Sequence, residues 1–75
     1  MISDENDFII GIGNKIKFHR LERKMTQLDL AIKSGMEENA LQRIEKGRTN
    51  PTIKTLIKIV NALQIDFEQL FELEK

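Results

Sequence analysis

The polar side chains best suited to recognising another molecule lie close together in segment 38–46, Glu-Asn-Ala-Leu-Gln-Arg-Ile-Glu-Lys. Only Ala40, Leu41 and Ile44 are apolar there, so a helix over this segment has a narrow apolar stripe and a wide polar face. That face carries carboxylate, amide and guanidinium groups, which accept and donate hydrogen bonds. We therefore expect a short helix that its neighbours hold in place and that presents its polar face to a partner.

The chain offers little for catalysis or metal binding. Its 75 residues include no Cys and one His, which excludes disulfides, a thiolate nucleophile and any Cys-based or multi-His metal site. No nucleophile–base pair is recognisable, and a chain this short has no room for both a core and a large substrate cavity. We expect neither an enzyme nor a metal, cofactor or small-molecule ligand, and we interpret His19 as a packed or half-exposed side chain.

The zero net charge hides an uneven distribution along the chain. Residues 1–8 carry three acids and no base, residues 9–62 carry 11 bases and 5 acids, and residues 63–75 carry four acids and one base. A body of net charge +6 therefore lies between two acidic ends. An anionic partner responds to this local distribution and not to the total.

Nothing in the sequence predicts association with a membrane. The longest uncharged runs, 8–14 and 59–65, are too short to span a bilayer. The first seven residues are acidic and polar, unlike the basic and then apolar pattern of a signal peptide. The expected location is the cytoplasm.

The elements that must position segment 38–46 are helices. Apolar residues recur at spacings of three and four, strict alternation is absent, and there is a single Pro, so we predict an all-α domain. It spans residues 9–75 and follows an acidic extension, residues 1–8, that can include the start of helix 1. The five predicted helices cover about 7–24, 26–34, 38–46, 52–63 and 67–73.

Several short-range signals mark the ends of these helices. Thr26 with Asp29 and Asp66 with Gln69 have the spacing of capping boxes, in which two residues satisfy each other's free backbone amides. Thr52 is placed to cap helix 4. Gly35 suits the left-handed residue that ends helix 2.

Helix 2, the corner at Gly35 and helix 3 together form a helix-turn-helix. Ala31 is small enough to let the two helices cross closely, while Leu41 and Ile44 anchor helix 3 against its neighbours. This arrangement projects helix 3 outward, where the major groove of B-DNA, about 12 Å wide, can receive it.

A longer ordered pattern surrounds this motif and extends over about residues 12–71. Its members are Ile12-Gly13, Ile16, Arg20, Thr26-Gln27, Leu30-Ala31, Gly35, Leu41, Arg43-Ile44-Glu45, Gly47, Asn50-Pro51-Thr52, Leu56, Ile59, Ala62-Leu63 and Leu70-Phe71. The pattern resembles the phage-repressor-like helix-turn-helix domains of the Cro/XRE type. The resemblance implies a five-helix lambda-repressor-like fold, operator binding as a homodimer and control of transcription.

The resemblance also assigns roles to individual residues. The positions that contact base edges fall on Glu38, Asn39, Arg43 and Gln42. Arginine pairs with guanine, asparagine with adenine, and glutamate accepts from cytosine, although a solvated helix face has the same composition. Gln27 matches a phosphate-contacting position, and we expect further contacts to the DNA backbone from Lys15, Lys46, Arg48, Thr49 and Asn50, with Lys17, Lys33 and Lys54 as additional bases on the same side. Arg20 and Glu45 match a buried ion pair that fixes helix 3 on helix 1.

Two departures from the pattern favour an alternative function. Glu37 stands where Ser or Thr is common and is followed by Glu38, and Ala40 replaces a frequent hydroxyl residue. Two carboxylates suit the positive end of a helix but repel DNA phosphates at the same place. The alternative is a protein-interaction module on the same fold with weak or no DNA binding.

Helices 4 and 5 carry more apolar surface than one core contact needs. This surplus suggests a two-fold contact between two copies through Ile57, Leu63, Ile65, Phe67 and Phe71. The same residues could instead complete the core. A dimer would place two recognition helices about 34 Å apart, one turn of DNA.

Overall fold

The computed structural model describes residues 5–71 and contains helices only within that range. The elements are α1 (Glu5–Glu22), α2 (Gln27–Ser34), α3 (Glu38–Glu45), α4 (Ile53–Leu63) and a terminal 3-10 helix (Phe67–Phe71). The all-α prediction is confirmed, but the last element is a single 3-10 segment and not a fifth α-helix. The end of that predicted helix, residues 72–73, lies outside the described residues.

Helix α1 begins earlier than the sequence indicated. Its first turn contains Glu5 and Asp7, two carboxylates that interact favourably with the positive end of the helix. Residues 5–8 of the expected acidic extension are thus helical, and residues 1–4 lie outside the described part. The helix ends where Lys24 adopts a left-handed conformation, with φ 57°. Although α1 has 18 residues, neither it nor any other described helix is apolar enough over its length to cross a bilayer.

The caps of α2 and α4 agree with the sequence signals. The Thr26 hydroxyl accepts from the Asp29 amide at 3.0 Å, and the Asp29 carboxylate accepts from the Thr26 amide at 2.9 Å, so the capping box is confirmed. Hydrogen bonding of the Asp29 carboxylate with the Thr26 amide, and after it with the Thr26 side chain, lowers the pKa of the Asp29 carboxyl. Thr52 caps α4 by accepting from the Thr55 amide at 3.1 Å. Gly35 ends α2 in the left-handed region, with φ 68°.

The core lies where α2 packs against α4 and α1 packs against α3 and the 3-10 helix. Its fully buried large side chains are Ile16, Leu30, Leu41, Ile59, Leu63 and Leu70. Leu63 therefore completes the core, and its assignment to a dimer contact is wrong because no part of it reaches the surface. Leu28 and Ile32 have large apolar side chains, yet both are exposed, since Leu30, Ala31 and Ser34 occupy the inner face of α2.

Aromatic side chains join the two ends of the described chain. The Phe8 ring on α1 stacks on the Phe71 ring of the 3-10 helix with 5.5 Å between centroids, and Phe67 lies 5.2 Å from Phe71. The Asp66 amide donates to the Gln69 side-chain oxygen at 2.8 Å and fixes the start of the 3-10 helix. These ring contacts hold the 3-10 helix against α1, the helix that also packs against α3.

Candidate nucleic-acid interface

Helix α3 has one buried side and one exposed side, as its sequence predicts. Leu41, Ile44 and Glu45 are buried. Asn39 and Arg43 are both exposed and lie four residues apart, so they project from the same face. Gln42 and Glu38 are half-buried on the margin of that face. The structure thus places the four predicted base-contacting residues on or beside one face of the short helix α3.

An ion pair fixes the C-terminal end of α3. The Arg20 guanidinium on α1 donates to both Glu45 carboxylate oxygens, at 2.7 and 3.1 Å. Its remaining nitrogen donates to the Met25 carbonyl at 2.8 Å, and the Gln27 amide nitrogen donates to Glu45 at 3.0 Å. Because the pair is buried and its hydrogen bonds are made, the geometry between α1, α2 and α3 is tightly specified.

A glycine contact that the sequence did not reveal supplies a second constraint on α3. A Cβ atom placed on Gly13 would lie 2.3 Å from the Ile44 carbonyl oxygen and 2.8 Å from that of Glu45. The backbone of α1 therefore lies directly against the last turn of α3, and only glycine fits between them. The sequence shows only a glycine inside a helix, where it costs stability; the backbone that lies against Gly13 is set by the fold.

The loop after α3 carries the predicted phosphate-contacting groups. Gly47 is left-handed with φ 71°, and the Arg48 amide donates back to the Arg43 carbonyl at 2.9 Å. This turn places Lys46 and Arg48, both exposed, directly beside the end of α3. Asn50 is exposed and Thr49 is half-buried in the same loop. The loop leads to the capped N-terminus of α4, whose first amides are further donors for an anion.

The two other predicted phosphate contacts have different surroundings. Gln27 is half-buried at the start of α2, and one of its amide hydrogens is used on Glu45, which leaves a second hydrogen and the carbonyl oxygen for other partners. Lys15 is half-buried on α1, where its ammonium lies 5.9 Å from the centre of the Phe18 ring. Gln27 is thus tied directly to α3, whereas this contact of Lys15 lies within α1.

The N-terminus of α3 carries carboxylates in place of a hydroxyl cap. Glu37 occupies the cap position with extended backbone angles, and its side chain makes no capping hydrogen bond. Glu37 is exposed and Glu38 follows it, half-buried. The positive end of the helix accommodates their charge. The exposed face of α3 therefore runs from acidic residues at its start to Arg43, Lys46 and Arg48 at its end.

Comparison with known proteins gives a consistent result. A protein-family model described as helix-turn-helix matches residues 16–70. The chain is 43% identical over 54 residues to the immunity repressor protein of Bacillus phage phi105, covering 72% of this chain and 38% of the phage protein. It is 36% identical over 58 residues to an HTH-type transcriptional regulator of Methanocaldococcus jannaschii, covering 77% of this chain and 88% of that one. The chain thus spans less than half of the phage repressor but most of the archaeal regulator.

A solved structure adds a nucleic-acid complex to these similarities. The restriction-modification controller protein C.Esp1396I, solved as a tetramer with its natural 35 base-pair operator, superposes with a TM-score of 0.78. The two sequences are 37% identical, and the match covers 85% of this chain and 90% of the controller protein.

Proposed function

Because this chain belongs to the helix-turn-helix family whose model it matches, we propose that it is a sequence-specific, double-stranded-DNA-binding regulator of transcription. The observation that carries the proposal is the exposure of Asn39 and Arg43 on a helix whose opposite side is fixed by Leu41, Ile44 and Glu45. A recognition helix that is held in this way can enter the major groove of DNA as a rigid element. A DNA ligand also favours a cytoplasmic location.

The side chains of α3 define the expected base contacts. Arg43 can donate two parallel hydrogen bonds to O6 and N7 of guanine, and Asn39 can pair with N6 and N7 of adenine. Glu38 accepts from N4 of cytosine, and Gln42 lies beside it as a further amide. A cytosine opposite Glu38 turns the carboxylate at the start of α3 from a repulsive group into a selective one.

Contacts to the phosphate backbone of the DNA come from the loop after α3, from Gln27 at the start of α2 and from Lys15. These groups are Gln27, Lys15, Lys46, Arg48, Thr49 and Asn50. Phosphate contacts fix the register of the protein on the duplex and carry no sequence information themselves. If about four phosphates per copy are neutralised, log K for a dimer falls with log salt with a slope of about −7.

We also propose that two copies bind a two-fold operator, with α3 helices about 34 Å apart. The candidate contact surface consists of Ile57, which is exposed on α4, and the half-buried Ile65, Phe67 and Phe71. The operator complex of the controller protein, a tetramer, supports self-association on DNA. Sedimentation at high protein concentration tests it, because a single 8.7 kDa species would contradict a dimer.

The decisive experiment selects duplexes from a random pool and then compares three variants on the selected sequence. Arg43→Lys keeps the charge but loses the two-pronged guanidinium, so it should weaken specific binding by about 1–3 kcal/mol and leave binding to random DNA nearly unchanged. Arg43→Ala should lose at least as much. Lys46→Ala should weaken binding to all sequences equally and reduce the salt slope by about 1.

The alternative of a protein-interaction module makes the opposite prediction. Selection would then return no enriched sequence, and charge reversal at Glu37 and Glu38 would abolish partner binding without any effect on DNA. Equal affinity for selected and random duplexes would refute sequence-specific recognition.

A further inference from the structure

The first half of α1 lies against the loop that carries proposed phosphate contacts. Gly47, which stands between Lys46 and Arg48, has a left-handed backbone with φ 71°. A Cβ atom on Gly47 would lie 2.6 Å from Cγ1 of Ile10 and 3.0 Å from the Cα of Ile10. Both distances are shorter than van der Waals contact, so the side chain and the backbone of Ile10 cover one side of Gly47 and leave no room for a Cβ there.

The hydrogen bonds of this turn lead back to α3 and not to α1. The Gly47 amide donates to the Ile44 carbonyl at 3.0 Å, and the Arg48 amide donates to the Arg43 carbonyl at 2.9 Å. Within residues 5–71 the structure shows no ion pair for Lys46 or Arg48. Ile10 therefore supplies a contact from a second helix to a turn whose charged side chains do not anchor it.

Ile10 is itself held from both directions along α1. Two residues earlier, the Phe8 ring stacks on the Phe71 ring with 5.5 Å between centroids. Three residues later, Gly13 lies directly against the Ile44 carbonyl of α3. Because Ile10 lies between these two contacts, the packing of α1 fixes its position independently of the loop.

We propose that Ile10 is a positioning residue for DNA binding, which holds Gly47 so that Lys46 and Arg48 meet the phosphates in a fixed geometry. The inference rests on the proposed function, which assigns phosphate contacts to these two side chains. A loop that becomes ordered only on DNA loses conformational entropy on binding, whereas a loop that is already held loses less. Ile10 does not contact DNA and acts through Gly47.

Two substitutions of Ile10 differ in whether the contacting atom is kept. Ile10→Val retains a Cγ1 atom and loses only Cδ1, whereas Ile10→Ala removes Cγ1. Leu21→Ala is the matched control, because Leu21 lies near the other end of α1 and is 54% exposed, compared with 43% for Ile10. Since both positions are partly exposed, all three variants should keep the helical circular dichroism spectrum.

The assay measures affinity for a random duplex over a series of salt concentrations, at a temperature where every variant is folded. Ile10→Ala should bind at least about threefold more weakly than the parent, and its slope of log K against log salt should be shallower by about 1. Ile10→Val and Leu21→Ala should match the parent in both quantities. A loss of stability alone leaves the slope unchanged, because the folded fraction still makes the same phosphate contacts.

Amide NMR spectra of the free variants test the contact without DNA. The signals of residues 46–49 should shift or broaden in Ile10→Ala and stay close to those of the parent in Ile10→Val. Unchanged signals in Ile10→Ala would overturn the proposal, because Ile10 would then not hold the turn.

Three DNA-binding results would also contradict the proposed role. Ile10→Ala could keep the salt slope of the parent, in which case Ile10 only supports the fold. Ile10→Ala and Leu21→Ala could lose affinity equally, so that the effect would not depend on the contact with Gly47. A parent chain that binds no duplex would refute the proposed function and this role with it, whereas a parent that binds while Ile10→Ala keeps its slope refutes only the role of Ile10.

Discussion

Gly11 and Gly13 offer the same substitution in two different surroundings on one helix. A Cβ atom at Gly11 would meet no atom within 4 Å, whereas a Cβ at Gly13 would lie 2.3 Å from the Ile44 carbonyl oxygen. Ordinary contact begins near 3.4 Å, so Gly13→Ala requires α1 and α3 to separate locally by about 1 Å. The opposing atoms belong to the backbone and cannot rotate away.

The magnitudes follow from two opposing contributions. Replacing glycine by alanine inside a helix stabilises by about 1 kcal/mol at either position. At Gly13, overpacking costs about 1–3 kcal/mol or more and removes that gain. Gly11→Ala should therefore raise the melting temperature of the parent by about 4–8 °C. The melting temperature of Gly13→Ala should lie at least about 4–8 °C below that of Gly11→Ala.

The assay combines thermal and urea unfolding with DNA affinity. Affinity for the selected duplex is measured at a temperature where both variants are folded. Gly11→Ala should bind as the parent does, while Gly13→Ala should lose specific affinity, because the displaced backbone is the last turn of α3. Equal stability and equal affinity of the two variants would refute the claim that α1 sets the position of α3 by close backbone contact.

Three further predictions concern polar groups. Glu45→Ala leaves the Arg20 guanidinium buried without its carboxylate, so it should lower the free energy of unfolding in urea by about 3–5 kcal/mol. A decrease below about 1 kcal/mol would contradict the structural role of the pair. The Ser34 hydroxyl is buried and has no hydrogen-bond partner among the described residues, so Ser34→Ala should be neutral or stabilising by up to about 1 kcal/mol in the same assay. The lowered pKa of Asp29 contributes stability above its unfolded pKa of about 3.9, and this stability disappears as the pH falls through the lower folded value. The melting temperature of Asp29→Ala should therefore fall less at acid pH than that of the parent. An unchanged dependence of melting temperature on pH would argue against the capping contact with Thr26.

The sequence predicts the helices and their caps well, because those signals are local. Thr26 with Asp29, and Gly35 as a left-handed residue, need only neighbouring atoms to act. The last described element is a 3-10 helix that packs against α1, and the sequence displays neither its geometry nor this long-range contact.

Burial is predicted less well, because it depends on which helices meet. Leu63 and Ile57 belong to the same apolar run, yet one is fully buried and the other is 45% exposed. Leu28 and Ile32 have the side chains of core residues, but Leu30, Ala31 and Ser34 occupy the inner face of α2. Gly13 illustrates the same limit, since its role is visible only once the backbone of α3 is beside it.

The most direct test of recognition by α3 follows the side-chain NMR signals of Asn39 and Arg43 while the selected duplex is added. Both side chains are exposed in the free protein, so direct base contact should shift the Asn39 amide and the Arg43 Nε–H signals strongly. A random duplex should shift mainly the signals of Lys46, Arg48 and the surrounding loop. If the Asn39 and Arg43 side-chain signals do not move with the selected duplex, α3 does not contact the bases and recognition by this helix is refuted.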